Sequence, residues 1–170
     1  MIEFERTFLA KSIPPGMHGC ISKEIIDVYV PASAEHPTLR IRKDGDRFEI
    51  TKKEPVDGDA SHQEEQTIRI TESEFNELIK VGGKVVRKIR YYYGHGGRTA
   101  EIDIFQDGLK GLVLVDFEFR TKEEKDSFRM PDFCLADVTR ETFVAGGMLC
   151  GKRYSDIEKP LRRFGYSRIP

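Results

Sequence analysis

The sequence predicts a single α+β domain built on one antiparallel β-barrel with a few flanking helices. Three observations carry that expectation. Apolar and polar residues alternate with period two in eight segments of the 170-residue chain, the mark of strands with two unlike faces. Glycine-bearing turn signals join several of these segments. The charges on the polar faces are sorted by sign from strand to strand, which a face turned to water does not require.

The strands are expected near 2–9, 24–30, 38–43, 47–53, 65–70, 85–93, 99–106 and 111–120. Asp44-Gly45 supplies the dipeptide of a tight hairpin between the third and fourth. Gly94-His95-Gly96-Gly97 joins the sixth and seventh, its glycines free to take positive φ, which makes His95 a turn residue rather than a metal ligand. Residues 55–61 read as an exposed loop. Thr71-Glu72-Ser73-Glu74 is a capping box ahead of Phe75, Leu78 and Ile79, with Gly82 as the stop. Thr121-Lys122-Glu123-Glu124 repeats the signature, and its helix should end before Pro131. A third helix is expected from Ser155, with Pro160 disturbing its course. No repeat or linker divides residues 1–170, so one domain is expected.

Composition narrows the partners. A net charge of −1 gives no whole-molecule attraction to nucleic acid, so a polyanion would need a local cluster of cations. Apolar runs such as 111–115 are far too short to cross a bilayer, and the first residues lack the apolar stretch of a signal peptide. Cys20, Cys134 and Cys150 form no CxxC pair and are odd in number. They are expected as buried thiols in a reducing cytoplasm. The sequence leaves room for a homodimer without deciding it.

Residues i and i+2 of a strand share a face. Glu3 and Glu5 therefore lie together, as do Arg40 and Arg42, Lys88 and Arg90, Glu101 and Asp103, and Asp116 and Glu118. Thr51 and Lys53 share a further face, and Glu65 stands on its own strand. A solvated face explains any one of these strands. The whole set is another matter, because exposed ion pairs gain only about 0–1 kcal/mol and give little reason to sort charges by sign. Enclosed, unpaired charges cost several kcal/mol each and call for ligands. Counted together, these acids exceed the bases by about two charges, which divalent cations would more than neutralise, leaving the bases for phosphate. Carboxylate oxygens suit Mg²⁺ or Mn²⁺, guanidinium forks suit phosphate oxygens, and no His/Cys cluster argues for zinc.

These residues resemble the CYTH proteins, the triphosphate tunnel metalloenzymes. Glu3-Phe4-Glu5-Arg6-Thr7 looks like their ExExK signature, and Arg40-Ile41-Arg42 like their RxR strand. Thr51-Lys52-Lys53 is similar to TxK, and Lys88-Ile89-Arg90-Tyr91 to KxRY. Glu101-Ile102-Asp103-Ile104-Phe105 resembles ExDxF. Leu114-Val115-Asp116-Phe117-Glu118-Phe119 resembles LVExEF, and Asp137-Val138-Thr139 their DVT. The resemblance spans about residues 1–149 in family order, with 150–170 left as a C-terminal helical extension.

The resemblance implies an eight-stranded tunnel open at both ends, with acids on one wall holding Mg²⁺ or Mn²⁺ and bases on the other holding a triphosphate. Carried over, Glu3, Glu5, Asp116, Glu118, Glu101 and Asp103 would serve the metal, Glu5 and Glu118 also the chemistry. Arg40, Arg42, Lys53, Lys88 and Arg90 would grip phosphates. The implied activity is metal-dependent cleavage of a terminal phosphate from inorganic or organic triphosphate.

The chain also departs from the pattern. Thr7 stands where the family has a lysine, Thr67 replaces the second acid of the fifth strand, and Asp27-Val28-Tyr29 replaces Gln-x-Tyr. Residues 142–146 lack the basic, Tyr- and Asn-containing segment that follows DVT. These departures keep a non-catalytic or weakened triphosphate binder as the alternative, with adenylyl cyclase behind it. Lys11 lies near enough in sequence to take the lysine's place. Gly146-Gly147-Met148-Leu149-Cys150-Gly151-Lys152 nearly spells a phosphate-binding loop but lacks its final hydroxyl and a βαβ setting, so packing glycines are expected there. The basic residues Lys152, Arg153, Arg162 and Arg163 read as a solvated face.

Overall fold

A computed structural model describes the backbone from Ile2 to Pro170 and side chains from Phe4 onward. Nine strands form one sheet: β1 (Ile2–Ala10), β2 (Ser22–Val30), β3 (Leu39–Asp44), β4 (Arg47–Val56), β5 (Asp59–Ile70), β6 (Lys84–His95), β7 (Arg98–Phe105), β8 (Val113–Phe119) and β9 (Cys134–Asp137). Helices α1 (Glu72–Leu78), α2 (Lys122–Ser127), α3 (Gly146–Leu149) and α4 (Tyr154–Arg162) lie between and after them. The sheet order is β5-β4-β3-β2-β6-β7-β8-β1-β9, and a further β1–β5 pairing closes eight strands into an antiparallel barrel.

β1 makes the closure possible. One edge pairs with β8 along its length. The other is divided: residues 2–4 pair with β5 and residues 8–10 with β9. Closure leaves no long open edge to template aggregation.

The local signals act as expected at most joints. Gly45 takes φ 58° in the two-residue turn between Asp44 and Arg47. Thr71 and Glu74 make the reciprocal capping box, and α1 ends through one 3₁₀ turn at Gly82. Thr121 caps α2 through the Glu124 amide, but the Glu124 carboxylate accepts from the Arg120 amide instead of closing the box.

Four expectations need correction. Residues 55–61 are no loop: β4 runs to Val56, Asp57 and Gly58 turn at φ 51° and 77°, and β5 begins at Asp59. A ninth strand forms after α2. The third helix starts one residue earlier, at Tyr154, and passes through Pro160 to Arg162. The end of the barrel that carries Tyr29, Phe105 and Leu114 is filled rather than open.

That filling is an apolar cluster. Inward residues Leu9, Tyr29, Val86, Phe105 and Leu114 pack against Val144, Leu149, Tyr154, Ile157 and Leu161 from the C-terminal segment. Tyr154, Ile157 and Leu161 share one face of α4 at helical spacing. Gly146 and Gly147 make the approach possible: a Cβ on either would stand 2.1 Å from Tyr29 Oη or 2.2 Å from the Pro37 carbonyl. The near-phosphate-loop stretch is thus a stopper with packing glycines. Tyr166 pins the tail by accepting from the Val113 amide and donating to the Gly111 carbonyl, both at 2.8 Å.

The outer faces are covered in patches. Phe8, Met17, Ala100, Ile102, Val113, Val115 and Phe117 form a second cluster with Phe128 and Phe133. Val28, Ile41 and Phe75 form a third under α1. Cys134 and Cys150 are buried, and all three cysteines are free thiols. Among the described residues, no helix is long and apolar enough to cross a membrane.

Candidate functional site

With apolar residues outward on most strands, alternation turns the charged faces into the barrel. Glu5 and Thr7 of β1, Asp27 and Tyr29 of β2, Arg40 and Arg42 of β3, and Glu49 and Lys53 of β4 line a cavity of about 300 Å³. Gln63 and Glu65 of β5, Lys88 and Arg90 of β6, Glu101 and Asp103 of β7, and Asp116 and Glu118 of β8 complete it. Every site residue expected from the sequence is therefore at this lumen except Glu3, whose side chain lies outside the described residues. The acidic strands β7, β8 and β1 are neighbours, and the basic strands β6, β3 and β4 fall on the other arc, with β2 between β6 and β3.

The two arcs are not insulated. Arg42 donates from Nε and Nη2 to the two oxygens of Asp27, at 2.6 and 2.7 Å. Arg90 donates to Asp103 at 2.7 and 2.8 Å and also to Glu101, while Lys88 donates to Asp103. Lys53 reaches Glu5 at 2.8 Å, and Gln63 donates to the other Glu5 oxygen at 2.6 Å. Thr7 Oγ1 donates to Asp116 at 2.6 Å. Arg40 approaches Glu65 at 3.8 Å, yet its buried Nε has no partner among the described residues.

Eight described carboxylates and five cations line the lumen, an excess of three negative charges. The surplus is larger than the sequence implied because Asp27 and Glu49 also face inward. Asp27 was legible as a departure at a position alternating with Tyr29. Glu49 alternates with Thr51 and Lys53 but is the lone acid among its strand's inward groups, so no like-charged neighbour at i+2 marked it. Lys11 is exposed and lies away from the lumen-lining residues.

The electrostatics follow from burial and company. Burial pushes the Glu101 carboxyl up to about 7, where Arg90 pulls it back and Glu118 and Asp116 add to the rise. Burial also raises Asp116, helped by the charge on Asp103. Burial would raise Asp103 too, but Arg90 and Lys88 outweigh it and hold that carboxyl at about 2. Asp27 is likewise held well below the usual range, burial being overcome by Arg42. Burial lowers Lys88, and the charges of Arg90 and Arg42 lower it further against the pull of Asp103.

Among the described residues, no three carboxylate, His or Cys groups stand ready to hold a metal ion. The donors are right in kind and place, all carboxylates on adjoining strands, but Glu5, Glu101 and Asp103 are turned toward cations. The raised Glu101 and Asp116 mark negative charge that a hard cation would relieve. The unpartnered Arg40 Nε marks a donor that an anion would satisfy, since a buried donor left alone costs about 1–3 kcal/mol.

A CYTH domain model matches residues 1–126. The inorganic triphosphatase of Nitrosomonas europaea is 30% identical over 144 residues, covering 83% of this chain and 91% of that protein. Among solved structures, the inorganic triphosphatase NE1496 superposes with a TM-score of 0.64 at 24% identity, covering 88% of this chain and 95% of that one. The PH1012 protein of Pyrococcus horikoshii superposes at 0.53 with 21% identity, covering 97% and 91%.

Proposed function

Because this chain belongs to the CYTH domain family, we propose that it cleaves the terminal phosphate of a triphosphate, inorganic triphosphate first among them, inside the barrel. The observation that carries the reading is the single lumen in which five cations face eight carboxylates. The similar protein supporting it is the inorganic triphosphatase of Nitrosomonas europaea, 30% identical.

In this reading Arg40, Arg42, Lys53, Lys88 and Arg90 hold the phosphate chain. Triphosphate oxygens compete with Asp103, Glu101 and Glu5 for the same guanidinium and ammonium groups. Substrate binding thereby releases those carboxylates. Together with Asp116 and Glu118, and with Glu3 beyond the described side chains, they would hold Mg²⁺ or Mn²⁺. The ion, when bound, supplies charge neutralisation and polarisation at the phosphoryl oxygens. Glu118, at the solvent-reached end of β8, and Glu5 orient water and take its proton.

Phosphate release from tripolyphosphate with Mg²⁺ or Mn²⁺ tests the reading. Turnover that chelation stops and Glu118→Ala abolishes is expected. A second reading, a binder that turns over slowly or not at all, rests on Thr7: its hydroxyl serves Asp116 and brings no positive charge to the phosphate. Tight tripolyphosphate binding without turnover selects that reading. The coupling of anion to metal has its own check by calorimetry: Mg²⁺ should bind more tightly with a non-hydrolysable triphosphate present than alone.

A further inference from the structure

A second charged cavity lies outside the barrel, where β1 passes from β5 to β9. It has a volume of about 380 Å³ and is lined by Arg6, Lys125 and Arg140, matched in number by the carboxylates Asp126, Asp137 and Glu141. The local geometry shows which charges there are spent. Arg6 gives Nε and Nη2 to Asp137 and Nη1 to the Phe128 carbonyl. Asp137 also accepts from the Thr139 amide and hydroxyl. Glu141 accepts from Arg163 at 2.9 Å.

Two cations remain. The Lys125 side chain is 7% exposed, and its ammonium donates to a neutral hydroxyl, Ser61 Oγ, at 2.5 Å. Its nearest carboxylate, the exposed Asp126, is 3.7 Å away. Ser61 donates its hydroxyl to Asp59 at 2.7 Å, so the lysine meets that carboxylate through the serine and not by direct contact. Arg140 is exposed and closes no ion pair within 4 Å among the described residues, its charge reaching Asp59 only at longer range. A buried ammonium with spare N–H groups is costly unless a charge-assisted acceptor completes it. The Phe4 ring, 5.7 Å from Nζ, closes the apolar side and leaves the cavity as the direction from which an acceptor can come.

We propose that this outer cavity binds a phosphate-class oxyanion, held by Lys125 and Arg140. The site is separate from the lumen and does not depend on the chain being a triphosphatase. Orthophosphate and pyrophosphate are the probes, being the anions that triphosphate cleavage would release.

The test is a titration of each anion into the whole protein at constant ionic strength, read by thermal shift and by calorimetry. It is run on the wild type, Arg140→Gln, Lys125→Met and the lumen variant Arg40→Gln. Binding that survives Arg40→Gln but weakens at least tenfold in Arg140→Gln is expected. Arg140 is exposed, so that variant folds even if Lys125→Met does not. Binding lost in Arg40→Gln and unchanged in Arg140→Gln would place the anion in the lumen and overturn the proposal, as would no saturable binding to the wild type. Loss of catalysis in the lumen variant, with outer binding kept, separates this site from the proposed reaction.

Discussion

At the scale of single residues, Thr7 is the most telling position. Its side chain faces the lumen from the acidic arc and donates to Asp116. A lysine there would add a cation beside Asp116 and lower the raised carboxyl. Thr7→Lys should therefore increase the rate of tripolyphosphate hydrolysis. An unchanged or lower kcat would show that the threonine does not limit the rate. Glu101 makes a second prediction. Its carboxyl sits at about 7 when folded against an ordinary 4.5. The folded protein then keeps a proton that the unfolded chain gives up between these values, so stability falls as pH rises through that window. Asp116, also raised, acts in the same direction. The melting temperature of the ligand-free protein should fall from pH 5 to pH 8, and Glu101→Gln should flatten the decline. Arg42 and Asp27 form a buried pair with side chains 11% and 3% exposed. Removing one partner, as in Arg42→Ala, should cost about 3–5 kcal/mol by denaturant titration because it strands the other charge.

At the scale of elements, local chemistry was legible where it is strong. The Thr71 box was plain in the sequence, and Thr71→Ala should cost about 1 kcal/mol of stability, measured by chemical denaturation. The strands announced themselves through alternation, and with them the inward charges. The tip of the β4–β5 hairpin was hidden because 54–66 is polar on both faces, so the period-two signal fades although Asp57-Gly58 is a turn dipeptide. β9 is only four residues long, too short for any period to show. Its place is set by pairing with β1 and by the Val138 amide donating to the Thr7 carbonyl at 2.9 Å. The stopper was invisible for another reason. α3 has four residues and two glycines, and nothing local shows that their missing side chains make room for Tyr29 and the Pro37 carbonyl. Those contacts exist only after distant segments have met.

At the scale of the whole molecule, opposed charge arcs make the barrel sensitive to acid. Asp103, held at about 2, and Asp27, held lower, stabilise the fold above the ordinary aspartate range, and that contribution is lost as pH falls below about 4 toward their folded values. Circular dichroism should show stability draining away over that interval, and with Asp103→Asn the acid limb should be shallower. The sequence could sort the charges by sign. It could not show that they pair between neighbouring strands, Arg42 with Asp27 and Arg90 with Asp103, because that pairing depends on the register in which the strands meet. The C-terminal packing against Tyr29 and Leu114 has a kinetic consequence as well. Packing at that end favours passage through the far mouth, where Glu118 is exposed. Incoming triphosphate and outgoing fragments must take turns at it, so added pyrophosphate should raise KM for tripolyphosphate and leave kcat untouched.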